Sequence, residues 1–512
     1  MNDKYKKNLG TVFTPPITAR YIISRLGEIS KKARILDPCV GNGIFVKELL
    51  RKGISPEQIY SFDINPIYRN NILKLGVSFE SMDTLLSFSK KEIEKYDIIV
   101  GNPPYLNKSS NYVKTNKKQL KKIYGKINSH ETYSMFIVNG IWRLKEGGRL
   151  GFITSDSFLS LRTHEKLRNF ILSKCIINEI TLPPKDLFLK QKVKISPAII
   201  ILTKCSGEIN KQKREENIIR VIPRLKIEGQ YWNPPKIIHV KQKDYHSLPF
   251  SIFFIDVEKE IIELFKKAPK LEKYLKGYIG MHTHNNRRFI AAIEGTTLAK
   301  NFKKKNLKIK NKDEKFIIIP RKELESSYWK PYLKRGGKDQ YYRPIMEAIK
   351  WDEESKKNYD IPKNVPFERE GIIISGISSR LAARYMPKGC YWDSNKAMGF
   401  ILNNKNLSIE YILGLLNSSF YNYLAKGIIN NTSSIQLTGI HTLPFIIPDK
   451  LTKEKVEFQV RKIIKKKKED PNYDFSQEQK YIDNLIFELY SKEFDLPKEL
   501  KIKLDTQFSI YK

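Results

Sequence analysis

Four consecutive residues, Asn102-Pro103-Pro104-Tyr105, have the types and spacing of a reactive loop. The prolines fix the backbone and lack an N–H group, so a carbonyl beside them can face a ligand at little entropic cost. Asn102 offers an amide oxygen and Tyr105 a flat aromatic face. The Asn102 oxygen and the Pro103 carbonyl could accept the two N–H groups of a planar exocyclic amine while the ring stacks on its base.

Three acidic residues follow consecutive apolar runs that precede this motif. Asp37 is followed by Gly41 and Gly43, and glycines in such a turn let the backbone approach a ligand closely. Asp63 could hold both hydroxyls of a ribose, and Asp83 could accept a hydrogen bond from an adenine amino group. Each acid alone could be a turn or helix-cap residue, but the three together favour an adenosine-bearing ligand. The sequence contains no GxxxxGK[ST] phosphate loop.

Alternating strand and helix patterns must position these residues. Short β-rich runs alternate with helical patterns over residues 1–245, which predicts an α/β sheet with mostly parallel strands. The predicted strands are 34–37, 58–63, 97–101, 149–154, 176–182 and 198–203. The predicted helices of this part are 17–26, 44–52, 66–75 and 133–144.

The pattern then changes twice along the chain. Residues 246–450 contain short strands, aromatic clusters and loops, which predict a separate α+β domain. Residues 451–512 contain two helical patterns and many lysines, and we interpret them as a basic C-terminal extension. The sequence therefore predicts three domains, 1–245, 246–450 and 451–512.

Composition limits the class of protein. The chain of 512 residues has 93 Lys+Arg against 55 Asp+Glu, a formal net charge of +38, and is 40% hydrophobic. It is too apolar for a disordered polycation, and it has no uninterrupted apolar run of the roughly 18 residues that a membrane span needs. We therefore expect a cytoplasmic protein without a membrane partner, whose charge favours a polyanion such as nucleic acid. The four cysteines lack metal-ligand spacing, so we expect no metal site.

These motifs resemble, in type and order, the gamma-class (TaqI-like) N6-adenine DNA methyltransferases of restriction–modification systems. The resemblance implies a Rossmann-like class I methyltransferase sheet with helices on both faces, followed by a target-recognition domain. It implies S-adenosyl-L-methionine as cofactor and a flipped-out adenine of double-stranded DNA as substrate. The residues implied in catalysis are Asn102, Pro103, Pro104 and Tyr105, with Phe188 as a second aromatic wall for the target base. Those implied in cofactor binding are Thr14, within segment 10–16, and Asp37, Gly41, Gly43, Asp63, Ile64, Asp83, Asn102 and Pro104.

Candidate DNA contacts lie in basic stretches. Seven lysines and no acid occupy residues 102–129, beside the candidate reactive loop, which favours a phosphate-facing role over a merely solvated surface. The candidates are Lys108, Lys114, Lys117, Lys118, Lys121 and Lys122 there, and Lys334, Arg335, Arg380 and Arg384 in the second predicted domain.

Other readings of the same motif remain open. An Asn-Pro-Pro-Tyr loop also suits an RNA adenine methyltransferase or a protein glutamine methyltransferase, although the long basic region downstream favours DNA. The chain could also be the methylating part of a combined restriction–modification enzyme, or a DNA-binding component that has lost catalysis. We expect a monomer that only methylates, with a cognate restriction endonuclease, where there is one, on a separate chain.

Overall fold

The computed structural model describes residues 12–128, 130–334, 337–394, 396–430 and 434–510, apart from the side chain of Lys312. The chain divides into two compact units, Met1–Val257 and Glu258–Lys512. The first contains the predicted α/β part.

A single mixed sheet organises the first unit. Within the described residues its strands are β1 (Ile35–Asp37), β2 (Ile59–Asp63), β3 (Ser78–Ser81), β4 (Tyr96–Gly101), β5 (Leu144–Ser155), β6 (Cys175–Thr181), β7 (Pro197–Lys204), β8 (Ile218–Ile222) and β9 (Ile238–Lys241). Their order across the sheet is β3-β2-β1-β4-β5-β7-β6-β8-β9. Only β7 and β9 run against the other strands. This sheet confirms the predicted Rossmann-like α/β fold.

Helices follow most of these strands. They are α1 (Pro16–Arg25), α2 (Ile44–Arg51), α3 (Arg69–Leu73), α4 (Asn111–Thr115), α5 (Lys117–Tyr124), α6 (Thr132–Arg143), α7 (Ser157–Ser160), α8 (Glu165–Lys174) and α9 (Lys211–Glu216). Each predicted helix of residues 1–245 overlaps one of them.

The central strands β4 and β7 contain long apolar runs. The last four of the six residues of β4 are all buried, and residues 198–202 of β7 are almost completely inaccessible to solvent. Runs of this kind indicate strands that are covered on both faces, unlike the alternating pattern of a half-exposed sheet. Strands β1, β2 and β4 are parallel, so the loops that follow them leave the sheet at the same edge, where these strands have their carboxyl ends.

The second unit contains two smaller sheets. Its strands are β10 (Leu275–Ile279), β11 (Ile290–Ile293), β12 (Ile317–Ile319), β13 (Trp329–Leu333), β14 (Glu347–Lys350), β15 (Gly371–Ser375), β16 (Ala383–Met386), β17 (Tyr391–Trp392) and β18 (Ala397–Leu402). One sheet has the order β10-β18-β15-β16 and the other β12-β11-β14-β13-β17. Short strands mixed with helices agree with the α+β class predicted for this part.

The helices of the second unit are concentrated after its last strand. They are α10 (Lys259–Lys267), α11 (Asn286–Phe289), α12 (Thr297–Asn306), α13 (Glu353–Lys356), α14 (Ile409–Asn417), α15 (Ser419–Asn422), α16 (Leu437–His441), α17 (Lys450–Glu469), α18 (Ser476–Phe494) and α19 (Lys498–Lys503). Helices α17 and α18 pack against α14 where Gly414 permits a close approach. They thus belong to the same compact unit as α14. The predicted three-part division of the chain stays a prediction. Among the described residues, no helix is both long enough and apolar enough to cross a bilayer.

Candidate active site

A pocket opens beside the loops that follow β1, β2, β3 and β4. Ligands of open α/β sheets bind at this edge, where parallel strands end. The predicted residues that line it are Thr14, Gly41, Asp63, Ile64, Asp83, Asn102 and Pro104. The structure therefore brings together residues from five separate stretches of the first unit.

Asp37 and Gly43, which were also predicted to bind the cofactor, do not line the pocket. The Asp37 carboxylate lies beneath the turn, where its Oδ1 accepts a hydrogen bond from the Cys39 amide at 3.1 Å. Burial, reinforced by the charge of Asp63, raises the pKa of Asp37 to about 8. Gly43 has φ +76°, and a Cβ atom there would lie 2.6 Å from Ile72 Cδ1. Gly43 therefore shapes the turn, while the Oδ2 of Asp37 is buried without a hydrogen-bond partner among the described residues.

Asp63 holds the glycine turn in place from the end of β2. Its Oδ2 accepts from the Gly41 amide and its Oδ1 from the Asn65 amide, both at 2.8 Å. Gly41 has φ +50°, a backbone conformation that glycine adopts without strain. The carboxylate is buried, which raises its pKa. Each carboxylate oxygen accepts only one of these bonds, so acceptor capacity remains on the pocket side.

Asp83 follows β3 and receives several donors. Its Oδ1 accepts from the amides of Leu85 and Leu86 at 3.0 and 3.1 Å. The hydroxyl of Tyr112, a residue without a sequence motif, lies 3.1 Å from Oδ1 and 3.0 Å from Oδ2. Tyr112 lines the same pocket from α4.

The side-chain amide of Asn102 is oriented by a single bond. Its Nδ2 donates to the Val12 carbonyl at 2.9 Å. Its Oδ1 is buried and has no hydrogen-bond partner among the described residues. An unpaired buried acceptor costs free energy in the unliganded protein, so it marks a place where a ligand donor can bind.

Thr132, at the start of α6, braces the loop that contains Asn102. Its Oγ1 donates to the Pro104 carbonyl and accepts from the Leu106 amide. The same hydroxyl therefore satisfies two backbone groups of a proline-rich loop that cannot form a regular ladder. Thr132 could not be predicted from the sequence, because no local pattern connects it with the loop.

Tyr105 and Phe188, the two predicted walls for the target base, lie next to each other with ring centroids 6.2 Å apart and ring planes inclined by 52°. Phe188 is completely buried in the core, and neither ring lines the open pocket. The Tyr105 hydroxyl is buried without a hydrogen-bond partner among the described residues, and burial raises the pKa of Tyr105 well above its usual value. Tyr105 also packs against Tyr133, with ring centroids 6.4 Å apart.

A buried histidine supports this aromatic group. His164 Nε2 lies 2.9 Å from the Tyr133 hydroxyl, and its Nδ1 lies 3.1 Å from Asn128 Nδ2. Burial, together with the nearby charges of Arg168 and His130, lowers the pKa of His164 to about 3. The folded protein thus keeps this imidazole neutral.

This shift predicts acid sensitivity of the first unit. Below its ordinary pKa of 6.5, His164 binds a proton in the unfolded chain but not in the folded chain until about pH 3. The free energy of unfolding should therefore fall as the pH drops from 6.5 towards 3, by up to about 1.4 kcal/mol per pH unit. Denaturant unfolding of the wild type and of His164→Gln between pH 7 and pH 4 measures the contribution of His164 to the pH dependence of the free energy of unfolding. Equal pH slopes in the two proteins would contradict it.

Two parts of the chain match models of known protein families. A family model described as "Eco57I restriction-modification methylase" matches residues 45–188, and one described as "TaqI-like C-terminal specificity domain" matches residues 300–445. The first covers the pocket and the Asn102 loop, and the second lies in the second unit. These two matches support a DNA methyltransferase of a restriction–modification system.

Curated relatives agree with this assignment. The methyltransferase is 28% identical over 305 residues to the Type II methyltransferase M.VspI of Vibrio sp. (strain 343), covering 56% of this chain and 68% of the relative. It is 31% identical over 238 residues to M.HincII of Haemophilus influenzae, covering 45% of this chain but only 43% of the relative. Among solved structures, the DrdV–DNA complex matches with a TM-score of 0.52 and 15% identity over 90% of this chain and 58% of that one. That likeness concerns the fold.

S-adenosyl-L-methionine is the cofactor of this family, and the pocket of the methyltransferase fits it. Asp63 and Asp83 line the pocket, where their carboxylate oxygens would accept from ribose hydroxyls and an adenine amino group. The exposed Ile64 side chain lies between them in sequence and lines the same wall. Near Asn102, the buried hydroxyl of Thr14 also has no partner among the described residues. No phosphate cradle is needed for this ligand.

The predicted DNA contacts of the methyltransferase differ in exposure. All six lysines between Lys108 and Lys122 are exposed. Lys334 forms an ion pair with Asp393 at 2.7 Å, and Arg380 is half-buried and donates to the Phe508 carbonyl at 3.2 Å. Arg335 lies outside the described residues.

Arg384 does not fit its predicted role. It is 1% exposed, and its Nη1 lies 3.3 Å from Ser375 Oγ. Burial lowers its pKa to about 9. Arg384 was predicted to contact DNA because it is an arginine in a basic region, but its position in strand β16 directs the side chain into the unit. The structure therefore corrects this prediction.

One group of metal-ligating side chains comes together in the second unit. His282, His284 and Asp360 have ligand atoms within 4.8 Å of one another, and no other such group occurs among the described residues. His284 Nε2 is already paired with Asp360 at 2.8 Å, and His282 Nδ1 accepts from the His284 amide at 3.2 Å. All three side chains are exposed, and these mutual bonds account for their arrangement.

Proposed function

We propose that this methyltransferase transfers the methyl group of S-adenosyl-L-methionine to N6 of an adenine flipped out of double-stranded DNA, at a specific sequence. The observation that carries the proposal is the buried, unpartnered Oδ1 of Asn102 beside the pocket. A buried acceptor without a partner can accept a hydrogen bond from the N–H group of an amine. Protection of host DNA, a separate cognate endonuclease and a monomeric state are part of the same proposal.

The residues of the loop would act by position and by hydrogen bonding. The lone pair of adenine N6 is delocalised into the ring, so N6 is a poor nucleophile. Hydrogen bonds from N6–H to Asn102 Oδ1 and to the Pro103 carbonyl would hold the nitrogen in a geometry that localises this lone pair. The cofactor supplies an electrophilic methyl group on a sulfonium. No general base is needed before attack, because the methylated amine loses its proton readily.

The target base must leave the duplex to reach this loop. Tyr105 would stack on it, and Phe188 would support the second side. Because Phe188 is buried and packed against Tyr105 in the structure, the two rings must separate to admit a base.

The test is to express the chain in a host without DNA methylation and to map modified bases by long-read sequencing. We expect N6-methyladenine in one short motif. Methylated cytosine would overturn the choice of base. Unmodified DNA with methylated RNA or glutamine would favour one of the alternative substrates.

Two substitutions of Tyr105 should distinguish the contribution of its ring from that of its hydroxyl. In Tyr105→Phe a buried hydroxyl without a partner disappears, so the free energy of unfolding should stay equal or rise by up to ~1 kcal/mol, with methylation nearly unchanged. In Tyr105→Ala the stacking surface is lost, which should slow methylation by about 10- to 100-fold. Thermal unfolding and initial rates measure both. A Tyr105→Phe variant as slow as Tyr105→Ala would show that the hydroxyl contacts the substrate.

The exposed lysines of α5 should contribute to DNA affinity through phosphates. Replacing Lys117 and Lys118 by glutamine should make the dependence of log K on log salt shallower by about 0.9 per lysine that contacts a phosphate. The matched control replaces Lys211 and Lys213, exposed lysines of α9, and should leave the slope unchanged. Titration of labelled duplex at several salt concentrations gives the slopes. Equal slopes in all three proteins would assign the α5 lysines to solvated surface.

A further inference from the structure

The Asp83 carboxylate has two chemically unequal oxygens. Oδ1 accepts from the amides of Leu85 and Leu86 and lies 3.1 Å from the Tyr112 hydroxyl. Oδ2 has one hydrogen-bond partner among the described residues, the same hydroxyl at 3.0 Å. Oδ2 is therefore the oxygen that retains capacity to accept a hydrogen bond from a ligand.

The neighbouring residue cannot take over the role of Tyr112. The Thr84 side chain is buried and donates to the Pro38 carbonyl at 2.6 Å. It thus ties the loop after β3 to the turn after β1, and it offers no donor to Asp83. The side chain that fixes Oδ2 comes instead from α4, a segment 29 residues further along the chain.

Tyr112 is itself firmly placed. Ser110 caps α4 by accepting from the Val113 amide at 3.4 Å, and Val113 is buried. Burial and the adjacent Asp83 carboxylate raise the pKa of Tyr112 well above its usual value. Its hydroxyl consequently stays protonated and donates to Asp83, while its ring forms part of the pocket wall with Leu106 and Phe136.

We propose that Tyr112 is a positioning residue that fixes the Asp83 carboxylate and thereby sets the preference of the pocket for adenine over hypoxanthine in the cofactor. This inference rests on the proposed function. Adenine presents an amino donor to Oδ2, whereas hypoxanthine presents a carbonyl oxygen that would face the carboxylate lone pairs. The pocket can exploit this difference only while Oδ2 is held in place, because a mobile carboxylate would turn away from a repelling carbonyl.

The experiment compares binding of S-adenosylhomocysteine and S-inosylhomocysteine to the full chain by calorimetry. The wild type should prefer the adenosyl ligand by at least ~100-fold. Tyr112→Phe retains the ring and should reduce this preference by about tenfold, because Oδ2 loses its donor. Asp83→Asn should nearly abolish the preference. Tyr124→Phe is the matched control, since the Tyr124 hydroxyl donates to the Leu85 carbonyl at 2.9 Å and does not contact Asp83.

The outcomes separate this inference from the proposed function. A Tyr112→Phe preference within twofold of the wild type overturns it, as does an equal reduction in Tyr124→Phe, which would indicate loosened packing (a twofold change is about 0.4 kcal/mol). Failure of the wild type to bind S-adenosylhomocysteine would instead contradict the proposed function. Methylation of adenine in DNA together with an unchanged preference in Tyr112→Phe would leave the function intact and remove only the role of Tyr112.

Discussion

Replacement of Asn102 by alanine should slow methylation by ~100- to 1,000-fold while binding of S-adenosylhomocysteine persists. The side chain has one bond that orients it, from Nδ2 to the Val12 carbonyl, and one oxygen that is buried without a partner among the described residues. The oriented amide thus exposes its acceptor to the pocket at no further reorganisation cost. Removing the oxygen removes an interaction that strengthens as positive charge develops on the attacking nitrogen.

The expected split between rate and affinity distinguishes a catalytic from a structural role. Single-turnover methylation of duplex DNA reports the chemical step, and calorimetry with S-adenosylhomocysteine reports the pocket. The matched control is Asn107→Ala, in the same loop, because the Asn107 side chain is exposed and accepts only from Ser109. It should methylate normally. Full activity of Asn102→Ala would refute the assignment, and joint loss of activity and affinity would show that Asn102 chiefly holds the loop.

The sheet could be predicted from the sequence where burial is uniform. Strands β4, β5 and β7 are apolar over most of their length, and their predicted ranges lie within the observed ones or differ by one residue. Strand β3 was not predicted as a strand because three of its four residues are exposed and only Phe79 is buried. A short edge strand of this kind leaves no periodic signal. Its position was nonetheless implied, since Asp83 was placed in the loop that follows it.

Those residues of the candidate site that lie at the ends of strands could be predicted from the sequence. Residues that follow parallel strands converge at one edge, so Asp63, Asp83 and Asn102 could be grouped from spacing alone. Tyr112 and Thr132 could not, because each reaches the site through a tertiary contact of short helices and loops. The cofactor role of Asp37 stays a prediction for a related reason, since position after a strand does not show which side of a turn the side chain faces.

The charge of +38 was the least specific of the sequence signals. The six lysines beside the reactive loop are exposed, as a phosphate-facing surface requires, whereas Arg384 is buried. A long basic side chain can lie in solvent, form an ion pair or be buried inside a unit. The sequence alone does not distinguish these three environments. The lysines from Lys108 to Lys122 are exposed and belong to the segment from which Tyr112 lines the pocket.

Replacement of Asp63 by alanine should weaken binding of S-adenosylhomocysteine by at least ~100-fold, the second of the two largest effects that we expect. The carboxylate would accept from two ribose hydroxyls, and hydrogen bonds to charged groups are worth about 1.5–3 kcal/mol each. It also accepts from the amides of Gly41 and Asn65. The same change therefore leaves two buried donors without partners and disturbs the glycine turn, so thermal stability should fall even without ligand.

The asparagine variant makes this prediction specific. Asp63→Asn preserves the shape of the side chain but has one acceptor oxygen, so its NH₂ group must face the amide of either Gly41 or Asn65. It should therefore bind S-adenosylhomocysteine nearly as poorly as Asp63→Ala and also lose stability. Glu80→Gln, an exposed acid on the adjacent strand, is the control and should change neither quantity. Wild-type affinity in Asp63→Asn would show that the carboxylate charge is not used. Loss of affinity with unchanged stability would assign Asp63 to the ligand alone and not to the turn, because a residue that holds both must affect both.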